Sequence, residues 1–256
     1  MPRFLILLLA LLVAAAPASA QHHDGEAPFP EYPDFVLGAA HSPKRYTLAL
    51  LDLFEAAPAA DGLPGRFEGL LRTGTDTRML YLKAEGEGQL AEGTGEVEAQ
   101  ALVSRLLTSY FEAQAGLRVD TEVEDGDLRA RPFLTVGLEG LAPYFFEVEP
   151  ALFVSAAGDL SARFTGSYDL LLTQRLVAQP RLETNVAVQR VEDWGVGAGL
   201  NDVEVGLRLR YEIRREIAPY VGVNWTTRFG DAAEFARADG GSASDAALVF
   251  GLRLWR

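Results

Sequence analysis

The sequence predicts an all-β fold: a closed antiparallel transmembrane β-barrel of about twelve strands, preceded by a signal peptide and a short disordered arm. Three observations carry that prediction. Apolar and polar residues alternate with a period of two through most of the 256 residues. Many alternating segments reach about ten residues, longer than the roughly five or six usual in soluble sheets and close to what a tilted membrane strand needs. The connections between them are short and long in turn, as in barrels with tight turns at one end and large loops at the other.

The chain opens with Arg3, an unbroken apolar stretch from Phe4 to Ala16, the breaker Pro17 and the small-residue tripeptide Ala18-Ser19-Ala20. That order is the signature of a cleaved signal peptide over residues 1–20, and the apolar run is shorter than the ~20 residues a membrane-spanning helix needs. Residues 21–46 follow without apolar periodicity, punctuated by Pro28, Pro30, Pro33 and Pro43, and read as a flexible periplasmic arm. All three histidines of the chain, His22, His23 and His41, lie in it. Residues 47–256 are assigned to the barrel.

Alternation is cleanest from Asp202 to Arg214, where Val203, Val205, Leu207, Leu209, Tyr211 and Ile213 share one face. Asp202, Glu204, Arg208, Arg210, Glu212 and Arg214 share the other; a helix would scatter both sets around its circumference. Residues 159–170 behave alike, with Leu160, Ala162 and Phe164 opposing Ser161, Arg163 and Thr165. The predicted strands are 47–55, 66–73, 77–87, 95–105, 109–120, 131–139, 143–155, 159–170, 174–189, 200–214, 218–228 and 245–256. The first two are the least regular, because Leu48-Ala49-Leu50-Leu51 and Leu70-Leu71 blur the period. Linkers after odd strands are mostly long and rich in Gly, Asp and Glu (56–65, 88–94, 190–199, 229–244), with 156–158 as the exception. A secreted sandwich or a lipocalin-like barrel also alternates, but its inward face would be close-packed and apolar. Here the second face carries charges of both signs, which suits a polar lumen with lipid outside. Leu207 and Leu209 are therefore expected to meet lipid and Arg208 and Arg210 the lumen, so a charge at 207 should harm insertion far more than an apolar residue at 208.

Composition removes several functions. A net charge of −13 without any basic cluster argues against nucleic-acid binding. The absence of cysteine excludes disulfides, thiolate metal sites, a cysteine nucleophile and a lipidated N-terminal cysteine. No histidine follows His41, so the barrel lacks the base that a hydrolase uses to activate serine or water, and the chain does not read as an enzyme. The pairs Glu85 and Glu87, Glu96 and Glu98, and Glu147 and Glu149 project to one face and offer a path for cations. Lys83, Arg118, Arg163, Arg181, Arg208 and Arg210 project the same way, which favours a salt-bridged lumen instead.

Several phrases are more specific: Leu141-Ala142-Pro143-Tyr144-Phe145-Phe146-Glu147-Val148; Tyr168-Asp169-Leu170-Leu171-Leu172-Thr173-Gln174-Arg175-Leu176 followed by Gln179-Pro180-Arg181; and Gly206 to Glu216 followed by Ala218-Pro219-Tyr220-Val221-Gly222-Val223. In order and spacing, from about Thr77 onward, the chain resembles the copper resistance protein B family of bacterial outer-membrane proteins. The resemblance implies an outer-membrane location, copper tolerance through binding or moving copper ions at the cell envelope, and a periplasmic multicopper oxidase as a neighbour. Family members typically carry a Met- and His-rich N-terminal region, whereas residues 21–46 contain histidine but no methionine.

Cleavage after Ala20 would leave Gln21-His22-His23 at the new N-terminus. The amine of Gln21, two deprotonated amides and the His23 imidazole then form a square-planar nitrogen set suited to Cu(II). His22 adds an imidazole, and Asp24 and Glu26 add oxygens. Cyclisation of Gln21 would consume the amine. The competing reading is a solvated polar arm, and His41, beside Ser42-Pro43, reads first as an ordinary exposed histidine although it is the remaining candidate ligand.

Overall fold

The computed structural model describes residues 44–58, 63–89, 94–124 and 127–256. The predicted signal peptide and the candidate ligands Gln21, His22, His23, Asp24 and His41 lie outside those residues. The strands are β1 (Tyr46–Ala56), β2 (Pro64–Thr75), β3 (Arg78–Gln89), β4 (Thr94–Leu106), β5 (Phe111–Glu124), β6 (Asp127–Ala142), β7 (Phe146–Ser155), β8 (Leu160–Ser167), β9 (Leu170–Leu171), β10 (Leu176–Ala187), β11 (Gly199–Tyr211), β12 (Ile217–Arg228) and β13 (Ser244–Trp255). One helix, α1 (Gly230–Ala238), lies between β12 and β13.

Every pairing is antiparallel, and β13 returns to β1 through Leu50↔Trp255 and Ala56↔Phe250, which closes the sheet. Short β9 continues the line of β8 along β10, so the wall is a ring of twelve strands. Closure satisfies each backbone donor and acceptor within the wall and leaves no edge, the condition for a sheet to cross a bilayer. No helix among the described residues is long and apolar enough to cross one.

The alternation becomes two surfaces. On β11, Leu207 and Leu209 are 49% and 40% exposed on the outer wall, whereas Arg208 and Arg210 are buried inside. Val103, Leu134, Leu152, Val223 and Phe250 continue the apolar outer surface on other strands. The predicted faces of Leu207, Leu209, Arg208 and Arg210 are those observed.

Four local differences have physical causes. In β1 the register shifts between Leu51 and Leu53, with Asp52 as the extra residue, and the blurred alternation there is a bulge. The predicted gap between 120 and 131 is wall instead, because β5 and β6 stay paired out to Glu124↔Asp127. The strand predicted from Pro143 begins at Phe146: Pro143 has no N–H to give the ladder, and Tyr144 and Phe145 take left-handed φ values of 68° and 66° in a tight turn. Finally, the predicted loop 229–244 contains α1, a run of good helix formers with Asp231 in its first turn and Arg237 in its last, complementing the helix dipole.

Placing a charge on the outer wall should expose this geometry. Leu207→Arg is expected to cost about 2–4 kcal/mol if residue 207 sits near mid-bilayer. Urea unfolding in liposomes measures that loss, and the native barrel should run differently on gels before and after heating.

Candidate functional site

The register places acids side by side on one wall of the lumen. Glu68 pairs with Glu85, Glu85 with Glu98, and Glu98 with Asp120, so four carboxylates form one row across β2, β3, β4 and β5. Like charges directly opposite destabilise a sheet, so this row needs cations from elsewhere. They arrive partly along the wall and partly across the lumen.

Arg163 on β8 grips Glu98 with two nitrogens, at 3.2 and 2.7 Å, and reaches Glu85 at 3.3 Å. Arg181 on β10 binds Glu68 at 2.7 Å, and Arg118 bridges Glu98 at 2.7 Å and Asp120 at 2.6 Å. Glu183 on β10 joins the set, lying 3.2 Å from Arg181 and 3.7 Å from both Arg163 and Arg66. Arg66 in turn contacts Glu204 at 2.6 Å. One connected network therefore ties β2–β5 to β8, β10 and β11. Arg118 is also stacked between Phe133 and Phe153, 5.1 and 4.3 Å from the ring centroids, which holds the guanidinium flat.

Beside this network, Arg208 forms a two-pronged pair with Glu55 at 2.5 and 3.1 Å, both side chains nearly inaccessible. A Cβ at Gly206 would collide with the Arg208 guanidinium, and one at Gly222 would crowd its stem, so these glycines make the room in which it lies. Toward the short-turn end, Lys83 sits between Glu139 at 3.0 Å and Glu149 at 2.5 Å. Ser104 and Tyr81 both donate to Glu112. Arg210 holds Asp169 at 2.6 Å where the β8 line breaks, and Arg253 holds the bulge residue Asp52 at 2.6 Å.

At the long-loop end, residues 188–198 fold over part of the mouth. Arg129 donates to the Asp193 carbonyl at 3.0 Å and lies against the Trp194 ring. Arg190 joins this loop to α1 through Asp231 at 3.4 Å and the Phe235 ring. Among the described residues a vestibule of roughly 430 Å³ opens at this end, lined by Glu55, Arg66, Glu87, Glu96, Glu204 and Asn224 among others. In the β7–β8 turn, the Ser155 hydroxyl and then Arg131 hydrogen-bond Asp159 and hold its carboxyl below the usual aspartate range.

Sequence reasoning therefore found much of the lumen. Lys83, Arg118, Arg163, Arg181, Arg208 and Arg210 all point inward and all form ion pairs. Of the three acid pairs, Glu85, Glu98 and Glu149 enter ion pairs, Glu147 accepts from Ser167, and Glu87 and Glu96 line the vestibule. It did not single out Glu55, Arg66, Glu68 or Glu183 as candidates. Arg66 and Glu68 share a face two residues apart, a signal obscured by the irregular β2. Among the described residues no three His, Asp or Glu side chains converge as a metal-ligand set. The candidate ligands of the arm lie outside the described residues.

A closed antiparallel wall, an apolar exterior and an ion-paired interior define a β-barrel of the outer-membrane class. Among solved structures the fold is similar to the NanC porin, with a TM-score of 0.51 and 11% identity over 80% of this chain and 98% of that one. A family model described as Copper resistance protein B precursor (CopB) matches residues 45–256, and the chain belongs to that family. It is 42% identical over 182 residues to Copper resistance protein B from Escherichia coli and 40% identical over 182 to its homolog from Pseudomonas syringae pv. tomato (strain ATCC BAA-871 / DC3000). Each match covers 71% of this chain and 60% of the relative's own length.

Two outcomes test the lumen. Position 208, tolerant on sequence pattern alone, becomes sensitive because its loss strands the buried Glu55 carboxylate. Arg208→Met is expected to cost about 3–5 kcal/mol, and adding Glu55→Leu should restore most of it, as urea unfolding would show. Arg163→Ala frees Glu85 and leaves Glu98 to Arg118, and should raise ion conductance in planar bilayers above that of the parent barrel.

Proposed function

We propose that this protein is a non-enzymatic outer-membrane component of copper resistance, binding or moving copper ions at the cell envelope. The observation that carries the reading is the family match across residues 45–256. The described lumen supports a barrel that holds and positions rather than one that lets solutes through freely, since its central charges are committed to one another across the bore. On this reading lipid surrounds the apolar wall, the short-turn end faces the periplasm, and a periplasmic multicopper oxidase is the partner there.

The copper ligands are assigned to the arm: the Gln21 amine and following amides, His23, with His22 and Asp24 beside them and His41 further along. Nitrogen donors in a plane suit Cu(II), whereas the central barrel acids Glu68, Glu85, Glu98 and Glu183 are already engaged by arginine. A second reading, a diffusion channel or structural barrel without copper binding, draws on one feature: the lumen acids are distributed among wall cations instead of gathered around a shared centre.

Copper tolerance and copper content of cells with and without the gene test the main reading; equal values would overturn it. For the arm, mass spectrometry first establishes that the chain starts at an uncyclised Gln21. Cu(II) titration should then give a four-nitrogen absorption and electron paramagnetic resonance signature that weakens as pH falls, because protons compete for the same nitrogens. His23→Ala should abolish it, whereas His41→Ala and the Glu147→Gln/Glu149→Gln pair should leave it intact.

A further inference from the structure

Two arginines stand outside the pairing that governs the lumen. Arg78, the first residue of β3, lies directly opposite Arg105, near the end of β4. Both are exposed, and both share the outward face of Leu80 and Val103, the latter 63% exposed, while Ser104 beside Arg105 is buried inward. The next residues in the same row are Thr75 on β2 and Ala113 on β5, so the neighbouring strands offer no carboxylate there. Among the described residues neither arginine forms an ion pair, although every cation singled out in the lumen does.

Two cations facing each other on a sheet repel, and that arrangement persists at least cost where an external anion sits between them. The position specifies the anion. The pair lies at the short-turn end, one row beyond the lipid-facing Leu80 and Val103. Aliphatic stems can lie along the apolar wall there while the guanidinium groups reach the polar boundary of the bilayer. Small neighbours on both sides leave room, and paired guanidinium forks match the oxygens of a phosphate. We infer that Arg78 and Arg105 form a phospholipid-headgroup site on the outside of the barrel, selective for anionic phospholipid in the leaflet at the short-turn end. Arg214 and Arg215, also exposed, belong to the β11–β12 turn and are outside this site.

Native mass spectrometry of the folded full barrel, released from nanodiscs containing phosphatidylglycerol and phosphatidylcholine, tests the site. Phosphatidylglycerol should be retained preferentially. Arg78→Gln/Arg105→Gln should weaken its retention about 25-fold, roughly fivefold per arginine, and Arg214→Gln/Arg215→Gln should leave it within about twofold. Heat-modifiable migration confirms that each variant is folded. If the glutamine pair does not fold, Arg78→Lys/Arg105→Lys keeps the charge but loses the forks, and intermediate retention is expected. Equal retention of the two lipids by the parent protein would overturn the site, as would unchanged retention in a folded glutamine or lysine pair. Preferential retention of lipopolysaccharide would do the same, and so would displacement of the lipid by millimolar inorganic phosphate. None of these results depends on copper, so the site and the copper reading stand or fall separately.

Discussion

Four carboxylates in register, Glu68, Glu85, Glu98 and Asp120, would push adjacent strands apart if they were left to themselves. Their neutralisation by Arg118 along the wall and by Arg163 and Arg181 across the bore is the interaction around which the interior is arranged. Each guanidinium serves more than one acid, and Glu183 serves several guanidiniums, so no single ion pair sets the geometry. The bore is crossed at the level where the charges are densest.

Such a network is not simply a source of stability. Buried ion pairs give up hydration that their mutual attraction only partly returns, and apolar residues of similar size can serve as well or better. What they impose is arrangement: a missing partner leaves a buried charge exposed to a poor solvent, which makes alternative registers costly. The Arg208–Glu55 pair shows the same principle on a smaller scale, with Gly206 and Gly222 giving up side chains to accommodate one arginine. Outside the barrel there is no comparable demand, since lipid accepts any apolar side chain, and the outer wall is correspondingly varied.

The two mouths differ in construction. At the long-loop end, residues 188–198 and α1 are fastened by Arg129 and Arg190 over part of the opening, leaving a vestibule edged by Glu87 and Glu96. At the short-turn end neighbouring strands are joined by tight turns, one of them holding Tyr144 and Phe145 in left-handed conformations that bulky residues seldom adopt. Family membership links this scaffold to copper resistance, while the charges at the centre of the barrel are occupied with each other. The proposed copper chemistry falls for that reason to the histidines of the arm.

The sequence by itself determined the fold class, because period-two alternation over long segments is a local property that survives whatever neighbours a strand acquires. It also determined which residues face inward on regular strands such as β11, including Arg208 and Arg210. Its alternation was hardest to read in β1, where the Asp52 bulge moves one residue out of phase, and its limits were furthest off at β5 and β6, which stay paired to Glu124↔Asp127. Only the tertiary structure decided who pairs with whom. Arg66 and Glu204 are 138 residues apart in the chain, and Arg208 and Glu55 are 153 apart. No local pattern connects them; ring closure of β13 onto β1 and the stagger of twelve strands bring them together. For the same reason the sequence could name the charges of the lumen but not their balance, which is a property of the closed ring.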